Sequence, residues 1–254
     1  MAIKIYPLLT GYLNAEKSLM LTPNENYGEM VLIPSISYLI IEENRKILVD
    51  TGMPDTDYAD RHRPGSYQAP EHFLGNHLAR LGITPAQITD VILTHLHWDH
   101  CSNLSLFTNA SFYVQRRELN YALNPHPLFY RYYNAAALGF TPPFANISFT
   151  LLDGGHHKIS KSISIISTPG HTPGHQSVVL QGRDGIWVLS GDAICNEQTF
   201  TPHGHLPFLP TGPAVDIVTR YDTVNDLVGL VGGKLEQILS PHSSSALRQE
   251  TYTV

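Results

Sequence analysis

The sequence predicts a single α/β domain that spans residues 1–254 and mixes strands and helices along its whole length. Hydrophobic residues make up 42% of the chain and charged residues 15%, which is typical of a globular domain with a sizeable core. Short β-branched runs alternate with segments of helical periodicity, and no low-complexity linker separates them. These observations favour one continuous domain over several small ones.

Strands are predicted where apolar, β-branched runs stop at turn signals. The run at 46–49, for example, ends in Asp50-Thr51-Gly52. The predicted strands are 4–9, 31–41, 46–49, 91–93, 111–114, 149–152, 162–167, 177–180, 186–189 and 237–239.

Helices are predicted between these strands. Apolar residues at three- and four-residue steps indicate a helix over 73–81, with Gly82 at the position of a C-terminal cap. Residues 84–87 have the pattern of a short capped start, and 117–123 is also predicted to be helical. Segment 214–230 carries Ile217, Tyr221, Val224 and Val228 at helical spacing, which predicts one buried face.

Composition narrows the function classes. No apolar run approaches the 18 residues of a membrane span, and the first residues lack the pattern of a signal peptide, so we expect a cytoplasmic protein without a membrane partner. The net charge of −6 disfavours a nucleic-acid partner. The two cysteines, Cys101 and Cys195, form no disulfide framework or CxxC pair.

The clearest functional signal is Thr94-His95-Leu96-His97-Trp98-Asp99-His100, which follows the predicted strand at 91–93. A strand end places side chains at the rim of a sheet, and residues two apart project to the same side. Imidazole nitrogens and a carboxylate suit zinc. Packing explains the cluster poorly, because several polar groups at one rim are costly to desolvate without a cation.

Three later segments each place a ligand type just past an apolar strand. His171 lies in the Gly- and Pro-rich turn at 168–175, Asp192 lies in Ser190-Gly191-Asp192-Ala193, and His242 follows Pro241. The two oxygens of Asp192 could bridge two cations, whereas His175 is expected to hold the turn. The sequence therefore predicts two divalent metal ions per chain, held by His95, His97, Asp99, His100, His171, Asp192 and His242.

These motifs resemble those of the metallo-β-lactamase superfamily: HxHxDH at 95–100, PGHTPGH at 169–175, GDA at 191–193 and the late His242. Within it, residues 33–54, 114–116 and 168–178 are similar to the N-acyl homoserine lactonases. The resemblance implies a four-layer αββα sandwich, in which two mixed sheets pack face to face with helices outside. It also implies that the site lies at one edge of this sandwich.

The resemblance further implies that His95, His97 and His171 hold one metal, that Asp99, His100 and His242 hold the other, and that Asp192 bridges them together with a hydroxide. The expected reaction is opening of the ester ring of lactones, above all N-acyl homoserine lactones, by attack of that hydroxide. Asp99 is the expected catalytic residue and would pass a proton to the leaving oxygen. Zinc is the expected metal, although the same ligands accept iron, manganese or cobalt.

The sequence departs from the lactonase pattern near the predicted substrate site. Cys195 stands where that pattern has a tyrosine three residues after the bridging aspartate, and a thiol is a weak donor. Ser102, Asn103 and Ser243 also replace residues of the pattern. The aromatic loop at 124–146 is predicted to bury an acyl chain or to form a contact in a homodimer. The predicted substrate-binding residues are Tyr130, Tyr132, Tyr133, Phe140, Cys195 and His205.

Several alternatives stay open for the substrate, which is in any case a small molecule. The closest rival is a lactonase for another ring, such as 4-pyridoxolactone, which would need a small polar pocket. An aryl esterase, a thioesterase or, less favoured by the charge, a phosphodiesterase or nuclease would use the same ligands. A glyoxalase-II-like thioesterase is expected to need more chain after His242, and a flavo-diiron reductase a flavin domain. A catalytically idle metal-binding module is disfavoured by the complete ligand set.

Overall fold

Two β-sheets form the centre of the protein in the computed structural model, which describes residues 3–133, 139 and 141–254. Strands are numbered along the chain. The seven-stranded sheet contains β1 (Lys4–Glu16), β2 (Met30–Glu42), β3 (Arg45–Val49), β4 (Asp90–Ile92), β5 (Ser111–Gln115), β6 (Phe149–Leu152) and β12 (Tyr252–Thr253). The five-stranded sheet contains β7 (His156–Lys158), β8 (Ile163–Ser167), β9 (Gln176–Gly182), β10 (Gly185–Leu189) and β11 (Ile238–Leu239).

Both sheets are mixed. The seven-stranded sheet has the order β12-β1-β2-β3-β4-β5-β6, antiparallel from β12 to β3 and parallel from β3 to β6. The five-stranded sheet has the order β11-β10-β9-β8-β7, in which only β10 and β11 run parallel. As a result, β8, β10 and β11 all end at the same edge of their sheet.

The two sheets pack face to face. One buried cluster joins Ile36, Ile40 and Ile47 of the first sheet to Ile165 and Val178 of the second. Alternate residues of each strand point away from this cluster, as the twofold repeat of a strand requires. Each sheet therefore has an outer face that needs a second cover.

Helices supply that cover. The helices are α1 (Lys17–Met20), α2 (Thr56–His62), α3 (Leu74–Arg80), α4 (Arg116–Leu123), α5 (Tyr130–Tyr133) and α6 (Ile217–Leu230). Leu74 and Leu78 of α3 and Ala122 of α4 pack on the outer face of the first sheet. Val224 and Leu227 of α6 pack on that of the second. The predicted αββα sandwich is therefore confirmed.

Most predicted elements are present with shifted ends. Strand β1 continues to Glu16, well beyond the predicted end at Leu9, by bulging between Leu9 and Gly11 as it pairs with β2. The sequence analysis missed β7 and β12, which are too short to show a period, and the short helices α1 and α2.

The prediction for α6 was wrong in two respects. The helix begins at Ile217 rather than at 214, because the side chain of Asp216 accepts a hydrogen bond from the backbone N–H of Thr219 and caps it. Ile217 is 48% exposed, whereas the buried residues are Arg220, Thr223, Val224 and Leu227. Val224 is buried and Tyr221 and Val228 pack against the same apolar cluster, so the predicted buried face is confirmed at three of its four apolar residues.

Membrane insertion has no support from the helices. Within residues 3–133, 139 and 141–254, no helix combines the length and the apolar character needed to cross a bilayer.

Candidate metal centre

Ligand-type side chains converge where four strands end. His95, His97, Asp99 and His100 lie in the loop after β4, and His171 lies in the turn between β8 and β9. Asp192 lies in a short 3-10 helix after β10 (Gly191–Ile194), and His242 follows β11. Because these strand ends meet at one edge of the sandwich, residues far apart in sequence become neighbours.

All seven predicted ligands are brought together and are buried. Within each of four overlapping groups, the ligand atoms lie within 4.8 Å of one another. The groups are His95, His97 and His171; His95, His100 and Asp192; Asp99, His100 and His242; and His171, Asp192 and Cys195. Two separate cation positions with Asp192 near both are compatible with this arrangement.

Asp192 lies between the two sides of the cluster. Its Oδ2 is 3.3 Å from Nε2 of His171, and its Oδ1 is 3.3 Å from Nε2 of His242 and 3.5 Å from Nε2 of His100. Each carboxylate oxygen therefore faces a different set of imidazoles, as a bridging ligand would.

Three histidines are oriented through their other ring nitrogen. Nδ1 of His171 donates to the carbonyl oxygen of Pro213 at 2.8 Å, and Nδ1 of His242 donates to that of Pro34 at 2.8 Å. Nδ1 of His100 donates to the carboxylate of Asp50 at 2.8 Å. These bonds leave Nε2 with its lone pair directed into the cluster, which is the tautomer that a metal ligand needs.

Asp50 organises the loop after β4, and the sequence analysis treated it only as part of a turn. Besides His100, its carboxylate accepts from the backbone N–H of Thr94 at 2.7 Å and from the Thr94 hydroxyl at 2.8 Å. Thr94 Oγ1 in turn lies 3.0 Å from Nδ1 of His95. Asp50 has a φ of 62°, a left-handed conformation in which aspartate is enriched among residues other than glycine.

Glu118 is a second residue that the sequence analysis missed. It is fully buried on α4, and its carboxylate accepts from the backbone N–H of Leu96, the hydroxyl of Tyr133 and the hydroxyl of Thr172. Burial raises the pKa of Glu118, although these hydrogen bonds counteract the effect. Leu96 and Thr172 lie beside His95 and His171, so Glu118 joins two ligand loops. A glutamate within a helix gives no sequence signal for this role.

Electrostatics favour neutral imidazoles on one side of the cluster. Burial lowers the pKa values of His95 and His171 well below the usual range and that of His97 to about 3. These side chains are therefore neutral at physiological pH, as metal ligands must be.

The other side contains opposed charges. Burial disfavours ionisation of His100, but the carboxylates of Asp99, Asp192 and Asp50 outweigh it and raise the pKa of His100 to about 10. Burial likewise opposes ionisation of Asp192, but His242 and the other imidazoles hold its pKa well below the usual range. Without metal, protons therefore compensate the carboxylates.

The donor set fits divalent cations. Nε2 of His95, Nε2 of His100 and Oδ1 of Asp192 are buried and make no hydrogen bond within the described part of the chain. Buried polar atoms are normally paired, and leaving them unpaired costs roughly 1–3 kcal/mol each. Cations bound between nitrogen and oxygen ligands would satisfy these atoms, and zinc, iron, manganese and cobalt accept such ligands.

A narrow cavity leads to the cluster. Its wall contains the ligands His97, Asp99, His171, Asp192 and His242, and its other residues are Leu13, Met20, Arg63, Trp98, Tyr132 and Pro213. Its volume of about 30 Å³ corresponds to about one water molecule.

The predicted substrate-binding residues lie in different places. Tyr132 lines the cavity, with its ring centre 4.9 Å from that of His97. Tyr133 is buried and bonded to Glu118, whereas Tyr130 and His205 are exposed. Phe140 lies outside the described residues.

Cys195 differs from its expected position on the pocket wall. It is fully buried, and its Sγ accepts a hydrogen bond from Arg220 at 3.2 Å. It is not among the residues that line the described cavity. The thiol therefore lies behind Asp192 rather than in front of it.

Comparisons with known proteins agree on one family. The metallo-beta-lactamase superfamily matches residues 32–234 of this chain. An N-acyl homoserine lactonase from Bacillus thuringiensis is 29% identical over 196 residues, which cover 73% of each chain. Another from Bacillus sp is 29% identical over 191 residues, which cover 71% of each.

Solved structures show the same fold. That of a quorum-quenching N-acyl homoserine lactone lactonase superposes with a TM-score of 0.78 at 24% identity, covering 96% of this chain and 94% of that one. That of AidC, a dizinc quorum-quenching lactonase, superposes with a TM-score of 0.69 at 18% identity, covering 95% of this chain and 88% of that one.

Proposed function

Because this chain belongs to the metallo-β-lactamase superfamily, we propose that it opens the ester ring of lactones, and specifically of N-acyl homoserine lactones. Family membership, the fold and the buried His/Asp cluster identify a metal-dependent hydrolase. The substrate is supported by the curated relatives, which are N-acyl homoserine lactonases.

The observation that carries the proposal is the pair of facing ligand groups with Asp192 between them. We assign His95, His97 and His171 to one metal, Asp99, His100 and His242 to the other, and Asp192 to both. When bound, two such ions supply a water that ionises at neutral pH and a Lewis acid for the carbonyl oxygen. Zinc as the resident metal, a cytoplasmic location and a single domain over the whole chain stay predictions.

Asp99 is the residue best placed to move a proton. It is 8% exposed and lines the cavity, and its Oδ2 is 3.6 Å from Nε2 of His100 and 3.7 Å from Nε2 of His242. In ring opening the ester C–O bond breaks and the departing alkoxide must gain a proton. We propose that the Asp99 carboxylate takes a proton from the attacking water and delivers it to the departing alkoxide.

Tyr132 is our candidate for a hydrogen-bond donor to the substrate. It is the one predicted tyrosine that lines the described cavity, whereas Tyr133 is committed to Glu118. We therefore propose that the Tyr132 hydroxyl, rather than the Cys195 thiol, contacts the substrate.

A lactonase for a smaller ring, with a small polar pocket, is the second candidate. The cavity beside the cluster is narrow, with a volume of about 30 Å³, which favours a compact ring over a long acyl chain. Arg63 is among the residues that line the cavity, which gives it a polar border rather than a purely apolar channel.

A substrate panel tests the proposal. Acyl homoserine lactones of several chain lengths, 4-pyridoxolactone, an aryl ester, a thioester, a β-lactam and a phosphodiester are compared with and without a chelator. We expect the highest kcat/KM for an acyl homoserine lactone and its loss on chelation. Preference for another compound would reject the substrate, and activity that survives complete metal removal would reject the mechanism.

A further inference from the structure

We propose that Arg220 is a positioning residue of the metal centre: its buried guanidinium joins the carbonyl oxygen of Pro213, which orients the His171 ring, to the turn of Asp192 and thereby maintains the affinity of the His95–His97–His171 position. The inference rests on the metal centre of the proposed function, but it does not depend on the identity of the lactone.

The guanidinium is fully buried and donates four hydrogen bonds within the described residues. Arg220 has 0% exposure, although it lies on the outer helix α6. Nε donates to the carbonyl oxygen of Ala193 at 3.1 Å, and Nη1 donates to those of Gly212 at 3.2 Å and Pro213 at 3.1 Å. Nη2 donates to Sγ of Cys195 at 3.2 Å.

One of these contacts leads directly to a ligand. The carbonyl oxygen of Pro213 accepts from both Arg220 and Nδ1 of His171, the latter at 2.8 Å. The position of this carbonyl therefore sets the direction of the His171 ring. Displacement of Pro213 would rotate Nε2 of His171 away from Asp192, from which it is now 3.3 Å distant.

The other contacts hold the second ligand. Ala193 follows Asp192 in the chain, and Cys195 ends the same 3-10 turn. Arg220 thus donates two hydrogen bonds to this turn, one to the carbonyl oxygen of Ala193 and one to Sγ of Cys195. Arg220 therefore holds both the turn of Asp192 and the carbonyl oxygen that orients His171. As a result, the distance between the Asp192 carboxylate and the His171 ring is set before a metal binds.

The hydrogen-bond partners of Arg220 indicate that this arginine positions neighbouring groups rather than forming an ion pair. Buried cations are normally paired with carboxylates, but the hydrogen bonds of Arg220 within the described residues go to three carbonyls and a thiol. A guanidinium offers five donors in a rigid plane, whereas a lysine ammonium offers three on a flexible stem. The same contacts account for Cys195, whose sulfur serves as an acceptor behind Asp192.

The test compares Arg220→Lys with Thr223→Val. Thr223 lies one turn further along α6, and its hydroxyl donates to the carbonyl oxygen of Pro169 at 2.7 Å. The valine variant therefore loosens the helix without touching the Asp192 turn. Zinc stoichiometry and affinity are measured by chelator competition, with folding checked by circular dichroism.

We expect wild type and Thr223→Val to bind two zinc ions with similar affinities. Arg220→Lys should retain one ion and bind the other about 10–100-fold more weakly. Cobalt-substituted protein should show a changed visible spectrum in the lysine variant alone. Unchanged zinc affinity in folded Arg220→Lys, or an equal loss in Thr223→Val, would refute the inference.

A second pair of variants decides the matter if Arg220→Lys does not fold. Cys195→Ala removes the Nη2 contact together with the thiol's hydrogen bond to the carbonyl oxygen of Asp192 at 3.8 Å, and should weaken the same zinc ion several-fold. Cys101→Ala removes the other buried cysteine, whose Sγ lies 3.5 Å from the carbonyl oxygen of Leu96, and should leave both affinities unchanged. Equal zinc affinities in the two variants would reject the role of Arg220.

The outcomes separate this inference from the proposed function. Wild-type protein that binds no zinc would contradict the proposed metal centre itself. Wild-type protein that binds two ions but opens no lactone would contradict only the substrate, and Arg220 could still be tested by zinc binding.

Discussion

Asp99 and Asp192 show how two aspartates of one cluster acquire different roles. Asp192 faces imidazoles on both sides, whereas Asp99 contacts only His100 and His242. Both line the cavity, but Asp192 belongs to two of the ligand groups, whereas Asp99 belongs to one. This difference supports the proposal that Asp99 is the proton donor.

Replacement of Asp99 by asparagine tests this role. Asparagine keeps an oxygen ligand but cannot carry the transferred proton, so we expect kcat to fall by about 100-fold or more. The kcat value and the metal content are measured on the same preparation, with the exposed Asp184→Asn as control. Full turnover with full metal content would contradict the proton role.

His62 is a buried histidine outside the metal cluster. Its ring stacks on Trp98 with 4.9 Å between ring centres, and its Nδ1 donates to the carbonyl oxygen of Arg131 at 3.1 Å. Burial lowers the pKa of His62 to about 4, compared with 6.5 for a free side chain. The folded protein therefore takes up this proton later than the unfolded chain does as pH falls.

The expected consequence is a loss of stability in acid. Above pH 6.5 both states are neutral and His62 contributes no pH dependence, whereas between pH 6.5 and 4 only the unfolded state gains the proton. From pH 7 to 5, the metal-free wild type should lose roughly 1–2 kcal/mol more than His62→Phe. Urea unfolding at both pH values measures this difference. Equal losses in the two proteins would show that His62 does not titrate in this way.

At the scale of elements, α6 is docked directly on the turn that carries His171. The backbone N–H of Val215 donates to the carbonyl oxygen of His171, and that of Asp216 donates to the carbonyl oxygen of Gly170. A Cβ atom on Gly170 would lie 2.4 Å from the backbone N and Cα of Arg220. Gly170 has a φ of +127°, so both its conformation and its surroundings require glycine.

Gly170→Ala should therefore separate the helix from the turn. We expect a loss of about 3 kcal/mol in the free energy of unfolding, since backbone rather than a flexible side chain must move. Gly229→Ala on the same helix is the control, because a Cβ there meets nothing within 4 Å. That variant should gain about 0.5–1 kcal/mol from helix propensity. Similar stabilities for the two variants in denaturant unfolding would contradict the close-packing argument.

The apolar periodicity of the sequence predicted where strands and helices occur better than it predicted which of their residues are buried. Strands such as β5 and β6 were found nearly in place, because each is a short run of mainly apolar and aromatic residues. In α6 the apolar pattern included the exposed Ile217 and missed Arg220, a charged residue on the buried face. Periodicity scores an arginine as exposed and cannot anticipate the carbonyls that would satisfy it.

At the scale of the whole molecule, the metal centre joins the two sheets. His95, His97, Asp99 and His100 follow a strand of the first sheet, whereas His171, Asp192 and His242 follow strands of the second. Bound cations would add links across the edge of the sandwich. Metal binding should therefore stabilise the entire domain rather than one loop.

Metal removal tests this coupling. A ligand at 100 times its dissociation constant stabilises the native state by about 2.7 kcal/mol per site, so chelation should lower the unfolding midpoint by several degrees. Differential scanning calorimetry measures the midpoint, and chelator already saturated with zinc serves as control. An unchanged midpoint in protein shown to have lost its metal would contradict a link between the sheets.

The sequence alone predicted the sandwich and the residues of the metal cluster. Ligand types at strand ends are local features, so short-range information is sufficient for the cluster. The sandwich was implied by the resemblance of these local motifs to those of the metallo-β-lactamase superfamily. His95 to His100 form one contiguous motif, and His171, Asp192 and His242 each follow an apolar strand.

The tertiary structure alone decided which residues support those ligands and which face the cavity. Asp50, Glu118 and Arg220 act across large sequence separations through bonds to backbone atoms, and any residue type can offer such atoms. Likewise, Cys195 lies behind Asp192 and Tyr132 in front of the cluster because of how α6 and α5 pack. Such contacts depend on the assembled fold, and no local pattern encodes them.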